Sequence, residues 1–342
     1  QVAEMARRGF LWAAKKYVCH SGYVAYPYSQ RTREELNMIA NGVFVKEYMK
    51  LDIMPYDVRE PKSHEVMVKA KACGVCCWDS WLYRGVNAPG PMPYIIGHEG
   101  VGIVYKVGSE VTSLKVGDKV FCASGSNEMM CESFTVPEDC LVRLPDDTTD
   151  WAKAVIEPNC CVVNVLYKAN IEPGDHVVLV GAGYMGTMTL MGLMRGSQAG
   201  RVTVFELRED RRKMAEAYGP NEVLDPESEE GKRVIAEIQA KGGADIVIDF
   251  GASDDSMATQ AGKLVIGSIH RGKVSFDSTK WHLGGLTVYN VSPMSNAHYT
   301  EILPRTYELI KKGVYEPGKL MTHTAHYKDA EGMEYLFQRA VD

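Results

Sequence analysis

Three places in this chain carry side chains of the types that hold a catalytic metal. Gly74-Val75-Cys76 follows a run that reads as a strand. Twenty-two residues after Cys76 comes Gly97-His98-Glu99-Gly100, and Glu157-Pro158 stands later. Thiolate, imidazole and carboxylate are donors that suit Zn2+, and a catalytic zinc uses three protein ligands and leaves a fourth position open. An alcohol oxygen in that position would be acidified and poised to lose hydride. Taken singly, each group has a plainer reading. A lone cysteine is usually core, a His-Glu pair a solvated turn, and Glu-Pro a helix start.

A second constellation points to a dinucleotide. Gly181, Gly183 and Gly186 stand in G-A-G-Y-M-G, with Tyr184 and Met185 between the last two glycines. The strand-like HVVLV precedes it and an apolar helix-like run follows. The first glycine allows a tight turn, the second lets backbone approach a pyrophosphate, and the third lets helix pack on strand. The helix N-terminus offers unpaired N–H groups to phosphate. A second strand-like run, RVTVF, ends at Glu206, 20 residues past Gly186. Its carboxylate would accept bonds from the adenine ribose hydroxyls and repel a 2′-phosphate, so NAD is expected rather than NADP. Arg208, Arg211 and Arg212 lie just beyond; they could soften that preference, and Arg211 is a further candidate for cofactor contact.

The elements that must position these groups fall into two styles. From about 42 to 144, short apolar or alternating runs (VFVKEY, EVMVKAKACGV, EGVGIVYKVG, KVFCA, ESFTVP) are punctuated by Gly, Pro, Ser and Asp. That is a small twisted β-domain. From about 165 strands alternate with helices: HVVLV, YMGTMTLMGLMRG, RVTVFEL, EDRRKMAEAYG, ADIVIDFGA, KLVIGSI and LTVYNVS. That alternation indicates a parallel α/β sheet. From about 292 the chain returns to helix and loop. The expected fold is therefore α/β, with a β-domain at 41–164 and 291–342, a doubly wound parallel-sheet domain at 165–290, and an N-terminal extension at 1–40. Within the last, RTREELNMIANG reads as a polar helix.

Bulk properties exclude several classes. The 342 residues exceed what one core usually serves, and 45% hydrophobic with 24% charged residues is ordinary globular composition. A net charge of −6 argues against nucleic-acid partners and acidic membranes. No apolar run reaches the roughly 20 residues of a membrane span. The first residues lack a signal-peptide core, so the expected location is cytoplasmic. Nine cysteines, an odd number without framework spacing, fit buried small hydrophobes or metal ligands in a reducing compartment.

Taken together, GVC-x-x-D at 74–79, GHEGVG at 97–102, VGSEVTSLKVGDKV at 107–120, EP at 157–158 and GAGYMG at 181–186 resemble the zinc-dependent medium-chain dehydrogenase/reductase family. The sorbitol and threonine dehydrogenase branch is nearest, and the resemblance spans about 42–340. It implies a GroES-like β-domain beside a Rossmann domain, with the active site between them. It implies that Cys76 and His98 bind a catalytic zinc, that Glu157 holds the third-ligand position, and that Glu99 approaches or leaves the metal. Homodimers or homotetramers are implied, formed partly by sheet edges near 284–292.

The departures are as informative. The segment FCASGSNEMMCESF has only Cys122 and Cys131, so one catalytic zinc and no structural zinc is expected. The residue two past the zinc cysteine, Ser or Thr in typical members, is Trp78, and the one five past, often His, is Trp81. An indole donates but does not relay a proton. Ser80, Tyr83 or a water held with Glu99 would have to replace the relay. Trp78 would fill the pocket beside the metal and could stack on a sugar-like face, or both tryptophans pack the core. Cys77 is bulk rather than ligand, and Asp79 orients the metal loop. The segment 249–267 is short for a helix plus strand, which suggests a trimmed sheet or an irregular region.

Three functions compete. The leading one is NAD-linked oxidation of a small secondary alcohol, a polyol, sugar or cyclitol derivative by analogy with the branch. The second keeps the fold but reduces an activated C=C or C=N bond, motivated by the lost relay. The third is a nucleotide-binding protein without turnover, against which Cys76, His98, Glu99 and Glu157 all count.

Overall fold

The computed structural model describes residues 36–86, 89–123, 128–251, 262–268, 275, 278–291 and 299–340. The extension expected at 1–40 therefore lies mostly outside the described residues. Its last part is strand rather than helix: β1 covers Leu36–Glu47 and folds back on β2, Lys50–Arg59, in an antiparallel hairpin. The polar pattern of 31–42 suits a helix locally. From Leu36 onward, pairing to β2 along the whole strand overrides that propensity.

β3 (Glu65–Cys73) lies between β7 (Ser133–Pro137) and β5 (Gly100–Val107), and β6 (Lys119–Cys122) and β8 (Leu141–Arg143) complete this antiparallel sheet. β4 (Tyr94–Ile95) pairs with β1. Alternating apolar residues of these strands, among them Val66, Val68, Val104, Val120 and Phe134, form one core. Residues between them, such as Met67 and Phe121, are buried on the opposite face in other clusters.

The other sheet has six strands, all parallel, in the order β11-β10-β9-β12-β13-β14. They span His176–Val180 (β9), Arg201–Phe205 (β10), Glu222–Leu224 (β11), Ile246–Asp249 (β12), Lys263–Ile266 (β13) and Thr287–Asn290 (β14). Counted from β9, this is the order 3-2-1-4-5-6 of a Rossmann fold, which reverses between β9 and β12. The central runs VVLV and IVID are buried throughout, as strands covered on both faces must be. The short segment at 249–267 does not remove a strand, since both β12 and β13 are present; residues 252–261 are outside the described set.

The helices are α1 (Cys77–Tyr83), α2 (Glu157–Ala169), α3 (Tyr184–Gly196), α4 (Glu209–Glu216), α5 (Glu229–Ala240), α6 (Ser278–Gly284), α7 (Tyr299–Lys311) and α8 (Ala330–Arg339). No described helix is long and apolar enough to cross a membrane. α8 returns to the β-rich part, where Met333 and Phe337 join Val43, Val45, Leu82 and Tyr83 in one cluster. The Phe337 ring lies 5.3 Å from that of Tyr83 and is fully buried. Phe337→Ala is expected to cost about 3–5 kcal/mol. Urea unfolding would show a lower midpoint, and an unchanged midpoint would remove α8 from this core.

Candidate metal and dinucleotide site

β3 and β5 run antiparallel with Cys73 opposite Gly100. The loop that leaves β3 at Gly74 and the loop that enters β5 at Gly100 therefore meet at one end of the sheet. This register explains the spacing of Cys76 and His98, which the 21 intervening positions of sequence do not. The Gly74 N–H donates to the Glu99 carbonyl at 3.1 Å. A Cβ on Gly74 would stand 1.9 Å from Glu99 Oε2, so only glycine leaves room for that carboxylate.

Asp79 ties the two loops together. It is fully buried in the first turn of α1. Its Oδ2 accepts the Cys76 N–H at 2.9 Å, and its Oδ1 accepts the Gly97 N–H at 3.0 Å. Oδ1 also lies 3.4 Å from His98 Nδ1. That ring nitrogen is buried and makes no formed hydrogen bond, so the imidazole is oriented by Asp79 without being locked to it. Cys76 Sγ, a His98 ring nitrogen and a Glu99 oxygen all lie within 4.8 Å of one another. A tetrahedral zinc holds its donors roughly 3–4 Å apart, so the trio stands within about 1 Å of a closed set.

The electrostatics fit a cation. Asp79, Glu99 and Glu157 are all buried. Among the described residues, Asp79 and Glu99 make ion-pair contacts only with His98. Buried carboxylates in excess over cationic partners are costly. Burial alone would lower His98, but the charge of Asp79 and the close polar contact with it, then Glu99 and Glu157, lift it to about 10. Burial raises Glu99 to about 8; His98 opposes this, and Glu157 and Asp79 add to it. The protein alone thus holds protons where a divalent ion would supply charge instead.

Glu157 is the first residue of α2, with Pro158 second, a placement proline favours. It does not complete the trio, yet its charge acts on both His98 and Glu99. One turn on, at i+4, Cys161 shares that helix face, and burial followed by the charges of Glu157, Cys160 and Glu99 raises its thiol. The sequence reading passed over Cys161; the i+4 spacing from Glu157 was the available signal.

Replacing Asp79 with asparagine keeps the shape and removes the charge behind His98. Zinc affinity is expected to fall about tenfold, read by competition with a chromophoric chelator. Unchanged affinity would reduce Asp79 to a loop brace.

Of the proposed proton carriers near Trp78, neither hydroxyl faces the cluster. Ser80 is fully buried and accepts from the Arg84 guanidinium at 3.3 Å. Tyr83 Oη donates to the Met49 carbonyl at 2.7 Å inside the core. Trp81 is buried, and Trp78 is half-buried against it with ring centroids 6.0 Å apart. Cys77 is exposed, and its Sγ lies 4.0 Å from Cys76 Sγ. Cys122 and Cys131 are both buried in the β-sheet core; residues 124–127 between them are outside the described set.

The glycine loop follows β9 at the point where the strand order reverses, where such sheets bind ligands. A Cβ on Gly186 would stand 1.9 Å from the Gly181 carbonyl oxygen, so the third glycine is the helix–strand packing contact. Arg211 overhangs the loop, its Nη1 3.5 Å from where a Gly183 Cβ would lie. Glu206 is buried at the end of β10 and accepts the Ala182 N–H at 2.7 Å and the Arg208 N–H at 2.9 Å. Each carboxylate oxygen keeps a lone pair for a further donor. Arg208 pairs with Asp210 and Arg212 with Asp225, which leaves Arg211 as the arginine over the loop. Met185 packs partly buried beside Met188 and Val162. Tyr184 opens α3 and is 39% exposed. Burial, then the charges of Glu99, Glu157 and Cys76, raise its phenol, which places it in electrostatic reach of the Cys76–His98–Glu99 group. The sequence assigned Tyr184 to the cofactor alone.

Known proteins agree with this architecture. Residues 62–146 match the alcohol dehydrogenase GroES-like domain. D-xylulose reductase A of Aspergillus oryzae is 25% identical, over 88% of this chain and 93% of that protein. D-xylulose reductase A of Aspergillus niger is 26% identical, over 78% and 85%. Among solved structures, 2R,3R-butanediol dehydrogenase of Bacillus subtilis superposes with a TM-score of 0.72 at 22% identity, covering 88% of this chain and 97% of that one. Benzyl alcohol dehydrogenase of Acinetobacter calcoaceticus does so with a TM-score of 0.76 at 20% identity, covering 89% and 97%. The chain thus carries an alcohol dehydrogenase GroES-like domain beside a Rossmann sheet in its usual strand order, and it is similar to D-xylulose reductases over most of their length.

Proposed function

We propose that this protein is an NAD-dependent zinc alcohol dehydrogenase that interconverts a secondary alcohol, a polyol or sugar derivative, and its ketone. The observation that carries this reading is the trio Cys76, His98 and Glu99 within 4.8 Å, set among buried acids and braced by Asp79. Cys76 and His98 would hold the zinc, with Glu99 and Glu157 as the exchanging and third carboxylates. Bound there, zinc supplies Lewis acidity toward an alcohol oxygen. The polyol class is supported by relatives named as D-xylulose reductases.

The remaining work belongs to the chain's own residues. The Gly181–Gly186 turn and the α3 N-terminus receive the pyrophosphate. Arg211 adds positive charge above Gly183, and Glu206 receives the ribose hydroxyls, which favours NAD over a 2′-phosphorylated cofactor. Trp78 walls the pocket and excludes water. Tyr184 opens α3 and feels the charges of Glu99, Glu157 and Cys76, which supports it as the hydroxyl that holds the proton in place of the missing Ser or Thr.

The test is turnover followed by NADH absorbance across a panel of polyols, sugars and simple secondary alcohols, with and without a chelator. Chelator-sensitive oxidation of a polyol supports the reading; chelator-resistant turnover overturns its metal part. A second reading, reduction of an activated C=C or C=N bond, draws on Trp78 standing where a relay hydroxyl would be. Polyol oxidation at ordinary rates would sink it. We further propose pairing of two copies along β14, the last strand of the sheet. Light scattering that reports a monomer would refute this.

A further inference from the structure

Cys76 and Cys77 are neighbours in sequence and in sulfur position, with Sγ atoms 4.0 Å apart. The backbone explains it. Cys76 is the residue before α1 and is extended, at φ −88° and ψ 158°, while Cys77 is already helical. The turn between those two conformations brings the side chains to the same side. The other adjacent pair, Cys160 and Cys161, lies inside α2, where successive side chains diverge by about 100°. Cys77 is also exposed, whereas Cys160 is fully buried.

We propose that Cys76 and Cys77 form a vicinal disulfide on exposure to a hydroperoxide, a reversible modification site at the mouth of the metal cluster. The exposed Cys77 sulfur attacks the peroxide oxygen, the O–O bond breaks, and one water or alcohol leaves as the sulfur becomes a sulfenic acid. The Cys76 sulfur then attacks the Cys77 sulfur. The S–S bond forms, the S–O bond breaks, and the oxygen departs as water with the protons of the two thiols. Two thiols are oxidised by two electrons and one peroxide is reduced. Adjacent Cα atoms are about 3.8 Å apart across a trans peptide, below the usual span for a disulfide. Such a bond is strained and easily reduced, which makes the change a switch rather than damage. Cys76 in a disulfide is no longer a thiolate donor, so the metal position loses one of its ligands. This last consequence rests on the proposed function; the disulfide does not.

The test treats the purified, metal-loaded protein briefly with hydrogen peroxide. Thiols are counted, the peptide spanning the pair is weighed, and released zinc is followed with a chromophoric chelator. The wild type is expected to lose two of its nine thiols, with two hydrogens missing from the Cys76–Cys77 peptide, and to release its zinc. Dithiothreitol restores both thiols. Cys77→Ser is expected to keep its zinc through the same exposure. A wild type that keeps both thiols, or a disulfide mapped to another cysteine, would overturn the inference. So would Cys77→Ser releasing zinc as fast as the wild type. A protein that carries no zinc before peroxide would contradict the proposed function alone, since the peptide mass still reports the disulfide.

Discussion

His98→Ala is expected to abolish dehydrogenase turnover while leaving NADH binding in place. The side chain is held at the meeting of two loops, beside Cys76 and Glu99 and backed by Asp79. Its loss removes one of two strong donors and takes from the buried carboxylates of Asp79 and Glu99 the imidazole they face. Metal ions contribute several kcal/mol to such a reaction, which corresponds to a fall in kcat/KM of at least about 10³-fold. The nucleotide loop belongs to β9 and α3, so NADH affinity should change little. Turnover within tenfold of the wild type would place the chemistry elsewhere.

Gly186→Ala should give the converse result. The added methyl would meet the Gly181 carbonyl oxygen at 1.9 Å and its carbon at 2.9 Å, both backbone atoms that cannot rotate away. α3 must then lift from the loop, and its first N–H groups lose their aim at the diphosphate. Overpacking of this kind costs up to about 3 kcal/mol. NADH affinity should fall by about 10²-fold, measured by fluorescence titration, with zinc content unchanged. Wild-type affinity in this variant would mean that the nucleotide does not use this turn.

Much of this was readable because the signals were local. The glycine loop, its flanking strand and the distant acid Glu206 are one unit of sequence, and they fold as one unit. The parallel sheet was legible because buried strands read as continuous apolar runs. What was not legible depends on tertiary pairing. The first half of the strand, Leu36–Gly42, was hidden because RTREELNMIANG suits a helix until β2 pairs with it, whereas VFVKEY in its second half already read as β. Ser80 and Tyr83 looked available by proximity to Cys76, but α1 turns both hydroxyls into protein contacts. Tyr184 and Cys161, on elements more than 60 residues beyond His98, feel the charges of Glu99 and Glu157. No spacing rule connects those elements to it; only the juxtaposition of the two sheets does.

The most direct test is the zinc content of the purified protein, wild type beside Cys76→Ala, with NADH titrated into both. The account predicts about one zinc per wild-type chain, loss of that zinc in the variant, and NADH binding retained in both. A wild type without zinc that still binds NADH would contradict the metal centre, and would leave a Rossmann protein that works by other chemistry.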